Sequence, residues 1–261
     1  IRTGRQFTCA AVGDAGPTTQ VAESHVPVLV YFDIRAKAES IRFIARYLGV
    51  PLQDEIVSLN GPAWGELKPR IPKGKLPILR LPNGQVMLES QDIAYFVASQ
   101  AKETTEPGVF EGVDGRKLVC DEAARRLYGM SQTRPVDYSN PLLNALRTEV
   151  AEARLPGHIA EVLPMYQSVE QTLLNNGGRP FLAGDNPGIG DLGLFHTVDV
   201  LSSLAPTAFD DFGKEWSMWR SAVATLDGVA EYLAERPTTG SESICKLGSI
   251  GRTRNVENSY C

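Results

Sequence analysis

The spacing of apolar residues changes character along the chain. Val28-Leu29-Val30-Tyr31-Phe32 is an unbroken apolar, β-branched and aromatic run, which predicts a buried strand. Ile41, Ile44, Ala45 and Leu48 then recur at helical spacing, and Gly49 followed by Pro51 supplies the stop. Asp54 to Leu59 predicts a second strand, and Gly61-Pro62 opens a loop. Leu76 to Leu81 and Val86 to Glu89 flank Asn83-Gly84, a pair suited to a tight hairpin turn. Ser90 is expected to cap a helix that carries Ile93, Phe96 and Val97. The order β-α-β, loop, β-β-α is that of a thioredoxin-like domain.

Glu, Thr, Pro and Gly crowd residues 103–115 and predict a linker. Beyond it no strand alternation is visible. The pattern predicts helices over 114–134, 140–176 with bends near Pro156 and Pro164, 189–204, 211–226 and 228–236. The fold class expected is therefore α/β followed by all-α. Residues 1–25 form an irregular N-terminal extension, 26–102 the thioredoxin-like domain, 103–240 the all-helical domain and 241–261 a polar C-terminal extension.

Composition narrows the functions available. Hydrophobic residues make up 43% of the 261 and charged residues 22%, ordinary for a globular protein. No apolar run reaches the ~20 residues of a membrane-spanning helix, so the chain is not expected to span a membrane. Twenty-six basic against 31 acidic residues give a net charge of −5 with no basic stripe, which argues against nucleic acid as a partner. Cys9, Cys120, Cys245 and Cys261 are far apart, as are His25, His158 and His196, so no metal site is expected. So few cysteines in so long a chain favour a reducing compartment. The start at Ile1 with irregular residues behind it suits a product freed from a presequence, or a fragment. Cytoplasm, or an organelle after presequence removal, is the location expected.

Two features carry candidate chemistry. A cis bond at Leu76–Pro77 would turn the backbone of Leu76 outward, leaving its N–H and C=O for an extended peptide. Ser90 follows at a helix N-terminus, where free N–H groups and the helix dipole favour a carboxylate. Taken singly, these are an edge-strand proline and an ordinary cap.

LPIL (76–79) followed by LES-Q-DI (88–93) resembles the glutathione-binding half of the glutathione transferase family. Tyr31-Phe32-Asp33-Ile34-Arg35-Ala36-Lys37-Ala38-Glu39 is similar to the YF-x-x-RGRAE start of its tyrosine-type members, closest to the sigma class. Trp64-Gly65-Glu66-Leu67-Lys68 repeats the W-x-x-[IL]-K spacing of the second loop. Pro180-Phe181-Leu182-Ala183-Gly184-Asp185 and Gly190-Asp191-Leu192 resemble the signature of the helical domain. The resemblance covers about residues 26–237.

It implies glutathione as co-substrate, and a role for each matched residue. Tyr31 would donate a hydrogen bond to the glutathione sulfur and favour thiolate over thiol. A free thiol has a pKa of about 8.5. Lowering it by about two units takes roughly 2.7 kcal/mol, within reach of a single charge-assisted bond. Trp64 and Lys68 would hold the glycine end, and Leu76, beside Pro77, would pair with the cysteinyl backbone. Glu89 and Ser90 would take the γ-glutamyl group, with Lys37 and Lys75 at the edges of the groove. Asp191, three residues after a helix start at Gly188, is a folding element. The second pocket, for a hydrophobic small molecule, would be walled by a helix around Leu118 to Met130.

The sequence departs from the family where R-G-R becomes Arg35-Ala36-Lys37, and alanine there would crowd the backbone near the ligand. Two readings follow. One is an enzyme joining glutathione to hydrophobic electrophiles, or a related glutathione-dependent isomerase or peroxidase, working as a homodimer. The other is a non-catalytic accessory or structural subunit of a larger, organellar assembly.

Overall fold

Val28–Phe32 forms the second strand of the chain and not the first, because Cys9–Ala10 pairs with the far edge of the same sheet. That strand lies in the stretch expected to be irregular. The computed structural model describes residues 9–10, 25–32, 34–58, 62–133 and 148–236. The first part runs β1 (Cys9–Ala10), β2 (Val28–Phe32), α1 (Ala36–Leu48), β3 (Gln53–Val57), α2 (Pro62–Leu67), β4 (Ile78–Arg80), β5 (Val86–Leu88) and α3 (Ser90–Ser99). The sheet order is β1-β5-β4-β2-β3, with β2 and β3 parallel and the other pairs antiparallel.

The central position of β2 explains its unbroken apolar run, since both faces are covered. Leu29 and Tyr31 point into the large core shared with α1, α3 and the helical part of the chain. Val28 and Val30 point the other way, into a smaller core with Val57, Ile71, Ile78 and Val86. Residues i and i+2 of a strand share a face, which gives this division. Helix α1 ends as its sequence dictates, with Gly49 in the left-handed region at φ 67°.

The stretch 103–115 is not a linker. Lys102–Glu103 (β6), Val109–Glu111 (β7) and Lys117–Val119 (β8) form a three-stranded antiparallel sheet. Val109 and Phe110 are buried there, and Gly108 and Gly115 turn the chain with positive φ. Three-residue strands are too short for alternation to show, and the Gly and Pro between them dominate the composition. The next helix, α4, therefore spans only Glu122–Ser131, started by Asp121, whose carboxylate accepts from the Ala124 N–H at 2.8 Å. Leu118 is a fully buried strand residue, so it is core and not the wall of a second pocket.

The remaining helices are α5 (Thr148–Leu174, with Pro156 and Pro164 inside), α6 (Ile189–Leu204), α7 (Lys214–Ala224) and α8 (Val229–Glu235). The first residues of the helix expected over 140–176 lie outside the described residues. Among the described residues no helix is long and apolar enough to cross a membrane. Helix α6 is buried along almost its whole length and packs on α4. A Cβ at Gly190 would sit 2.9 Å from the Ala124 carbonyl oxygen, so glycine sets that close approach.

Gly188 precedes α6 with extended backbone, and Asp191 in the first turn is completely buried. Its carboxylate accepts from the N–H groups of Gly188 (2.7 Å) and Leu182 (2.8 Å) and from the Trp219 indole (2.7 Å). One side chain thus joins the start of α6, the 181–184 turn and α7. Replacing Asp191 by Ala strands three buried donors, each worth about 1–3 kcal/mol. We expect D191A to lose at least about 3 kcal/mol in urea unfolding, and a loss below 1 kcal/mol would contradict this account.

Candidate active site

The sheet register lines up the residues that the sequence singled out. In β2 and β4 Val30 faces Ile78, and in β4 and β5 Ile78 faces Leu88. Carried one residue past the ends of β4 and β5, this register sets Pro77 beside Tyr31 on one side and Glu89 on the other. The next row holds Phe32, Leu76 and Ser90. Six residues, on three strands and their extensions, therefore meet at one end of the sheet, where α1 and α3 begin.

The Leu76–Pro77 peptide is cis, as expected. Leu76 is half-buried and packs against both cores, and among the described residues its N–H and C=O make no bond to another backbone group. An extended peptide can pair there.

Tyr31 is buried at 5% exposure, in the core that joins the sheet to α1. Its phenol oxygen accepts the backbone N–H of Lys37 at 3.3 Å. That N–H belongs to the first turn of α1, where the side chain of Arg35 provides no cap. The phenol oxygen therefore sits at a positive helix end, which favours negative charge building up beside it. The side chain of Lys37 is half-buried, and the contact it makes with Tyr31 is through the main chain.

Ser90 is the first residue of α3 and not its cap. Glu89 holds the cap position with φ 67°, and its side chain does not bond the free N–H groups of the helix there. Ser90 is buried at 8% exposure, so its hydroxyl and the α3 N-terminus lie under the surface next to Leu76. The carboxylate of Glu89 points out and pairs with Lys73 at 3.0 Å, both more than 60% exposed. An exposed pair of this kind contributes little. Sequence reasoning missed Lys73, a residue at φ 62° in a run of turns.

Trp64 packs edge-on against Phe32 with ring centroids 4.9 Å apart, and Lys68 lies 6.0 Å above its indole. Lys68 and Lys75 are exposed, while Trp64 is half-buried. Trp64 and Lys68 thus stand together on the second-core side of the sheet, with Leu76 between them and Tyr31's side. Among the described residues no group of three His, Cys, Asp or Glu is placed to hold a metal ion. The buried thiol of Cys120 is pushed well up by burial, and burial lowers His158 and His196 to about 4.

A second polar group near the site was also missed. Arg35, Glu39 and Arg42 follow helical spacing and are buried, on a face of α1 turned away from Ile41 and Ile44. Charges recurring at the apolar period were the signal that could have revealed it.

Comparison with known proteins gives a consistent result. Residues 24–105 match the family described as glutathione S-transferase, N-terminal domain, and residues 136–236 match its C-terminal domain. Glutathione S-transferase 4 of Caenorhabditis elegans is 29% identical over 216 residues, covering 80% of this chain and 95% of that protein. The hematopoietic prostaglandin D synthase of Gallus gallus is 37% identical over 73 residues, 28% of this chain and 35% of its own. The solved glutathione S-transferase of Ascaris lumbricoides superposes with a TM-score of 0.63 at 23% identity, covering 82% of this chain and 98% of that one.

Ala36, at the start of α1, has φ 27°, in the left-handed region that suits glycine. Holding an alanine there costs about 1–2 kcal/mol, of which the greater flexibility of unfolded glycine would take back about 0.4–1. We expect Ala36→Gly to raise stability by roughly 0.5–1 kcal/mol in denaturant unfolding. A destabilised A36G protein would show that the methyl group contributes more by packing than it costs in strain.

Proposed function

The chain belongs to the glutathione S-transferase family, and from the placement of Tyr31 we propose that it binds glutathione and joins its sulfur to hydrophobic electrophiles. The observation that carries this reading is the phenol oxygen of Tyr31 held by the Lys37 N–H at the start of α1. A phenol whose oxygen already accepts from a positive helix end is a stronger donor through its own proton. Directed at the glutathione sulfur, that donor favours thiolate over thiol. About two units of thiol pKa correspond to roughly 2.7 kcal/mol, which one such bond nearly supplies.

The rest of the tripeptide follows the sheet end. Its cysteinyl backbone would pair with Leu76, held in place by Pro77. Its γ-glutamyl carboxylate would take the N-terminus of α3 with the Ser90 hydroxyl, and its ammonium would meet Glu89. Lys73 would swing off Glu89 for this, at small cost for an exposed pair. The glycine carboxylate would meet Lys68 beside Trp64, with Lys75 and Lys37 nearby. The thiolate then attacks the electrophilic carbon, a C–S bond forms, and the leaving group departs with its electron pair. Holding both reactants side by side supplies the remaining rate gain. No metal is used. The active form we infer is a homodimer, as in the family at large.

A glutathione-dependent isomerase on the same site is a close variant, favoured by the segment similar to the Gallus gallus prostaglandin D synthase. The second reading, an accessory subunit of a larger assembly, is favoured by β1 and by residues 106–135, which fall outside both family matches.

Immobilised glutathione separates the readings. The wild-type protein should be retained and eluted by free glutathione. Ser90→Ala should weaken binding about tenfold, through the loss of one bond to a charged group. A wild-type protein that flows through would favour the accessory subunit. Tyr31→Phe should still be retained, while its kcat/KM towards a chromogenic electrophile at neutral pH falls about 10–100-fold. Full activity in Y31F would remove Tyr31 from the mechanism.

A further inference from the structure

The buried charges that conjugation does not use gather at the first turn of α1. Glu39 is completely buried. Its carboxylate accepts from Arg42 at 3.2 Å, from the Tyr232 hydroxyl at 3.0 Å and from Arg236 at 3.0 Å, with Arg35 at 3.6 Å. The other arm of Arg236 donates to Asp199 of α6 at 2.7 Å. Arg42 reaches outward to Asp54 at 2.9–3.1 Å. His196 of α6 stands against Phe43 in the same core, its imidazole kept neutral by burial. Three arginines and three carboxylates thus balance, and Tyr232 and His196 are the other titratable groups facing Glu39.

The turn that carries Glu39 also carries the contact to Tyr31. Arg35 precedes α1 and its carbonyl accepts the N–H groups of Ala38 and Glu39 at 3.1 Å each. Lys37, between them, gives its N–H to the phenol. The Arg35 side chain does not cap this turn and Ala36 within it is in the left-handed region, so the turn depends on its surroundings for its shape. Its firmest outside bond on the side of the helical domain is Arg236, which follows α8 and bridges two carboxylates like a staple.

We propose that Arg236 is a positioning residue for Tyr31: by tying Glu39 to Asp199 it fixes the first turn of α1, and with it the N–H that holds the phenol oxygen. A shift of a few tenths of an ångström in that turn misdirects the phenol without altering any group that touches the tripeptide. This inference rests on the reading of Tyr31 as the group that favours the thiolate.

The test titrates bound glutathione by its ultraviolet thiolate absorbance, in the full chain and in Arg236→Met, Arg236→Lys and Asp199→Asn. Binding of S-methylglutathione, which has no thiol to ionise, is measured alongside. In R236M the thiol midpoint should move up by about one unit, with about a tenfold fall in kcat/KM below it. S-methylglutathione should bind within about twofold of wild type. R236K, which keeps the charge, should recover part of the shift, and D199N should move the midpoint in the same direction. A folded R236M with the wild-type midpoint overturns the inference. So does an S-methylglutathione affinity that falls in proportion to kcat/KM, which would mark a general structural defect. Should R236M fail to fold, an unmoved midpoint in D199N overturns it equally. A wild-type protein that shows no thiolate absorbance sinks the reading of Tyr31 itself, and a normal wild-type band beside an unmoved R236M sinks only the role of Arg236.

Discussion

A carboxylate with no access to water holds this molecule together. Taking the charge of Glu39 out of solvent costs several kcal/mol, and it is tolerable only when every lone pair finds a donor. Burial alone would raise its pKa, but the positive charge of Arg42 first, with Arg236 and Arg35, outweighs this and keeps Glu39 below the usual carboxylate range. Its stabilisation is therefore present above the unfolded pKa of about 4 and is lost as acid carries the pH down through the folded value. The donors come from α1, from α8 and from the residue after it. The sheet half and the helical half cannot part without leaving a bare charge behind.

Other polar contacts fix the same helix from different sides. The Ser40 hydroxyl meets the Tyr128 hydroxyl of α4 at 2.8 Å, and Gln132 donates to Ser40 at 3.2 Å. At the far end of α1, Arg116 from the β7–β8 connection donates to the Tyr47 carbonyl at 3.1 Å, one of the groups a helix end leaves without a partner. The Tyr47 hydroxyl returns a bond to the Lys117 carbonyl. Gly112 allows the approach, since a Cβ there would strike the Leu48 backbone. The small β6–β8 sheet thus braces the end of α1 opposite the phenol. Apolar packing brings these elements together without direction, and the buried polar bonds choose one register.

Where the sequence could be read and where it could not follows from the length over which each signal repeats. Helix α6 was placed to the residue, because a long apolar segment between Gly188 and Ala205 leaves little choice. The apolar run of β2 gives that strand to the residue, whereas the short runs around the Asn-Gly turn give β4 and β5 with ends off by a residue or two. The cis bond at Leu76–Pro77 and the folding role of Asp191 were legible because each residue type admits few uses at its position. The β6–β8 sheet was not, since two- and three-residue strands lie below the span in which a period can be counted. Ser90 has the residue type of a cap, but the positive φ of Glu89 starts the helix one step earlier than that preference suggests. The pairing of Lys73 with Glu89 and of Arg236 with Glu39 spans 16 and 197 residues, and such contacts exist only once the chain has folded.

The two substitutions that set this chain apart at the start of α1 bear on side chains, whereas the contact to Tyr31 is made by main chain. Lysine at position 37 lacks the planar fork of arginine, yet it presents the same backbone N–H. Alanine at 36 puts strain into the turn but leaves its hydrogen bonds in place, with the Arg35 carbonyl still accepting two N–H groups. A strained turn keeps its shape only if its surroundings over-determine it, and here they do so through Glu39 and its three arginines. The buried ion cluster and the left-handed alanine are thus two sides of one arrangement. The cluster supplies the rigidity that glycine at position 36 would make unnecessary, and it does so next to the tyrosine whose oxygen meets a helix N-terminus at the end of the sheet.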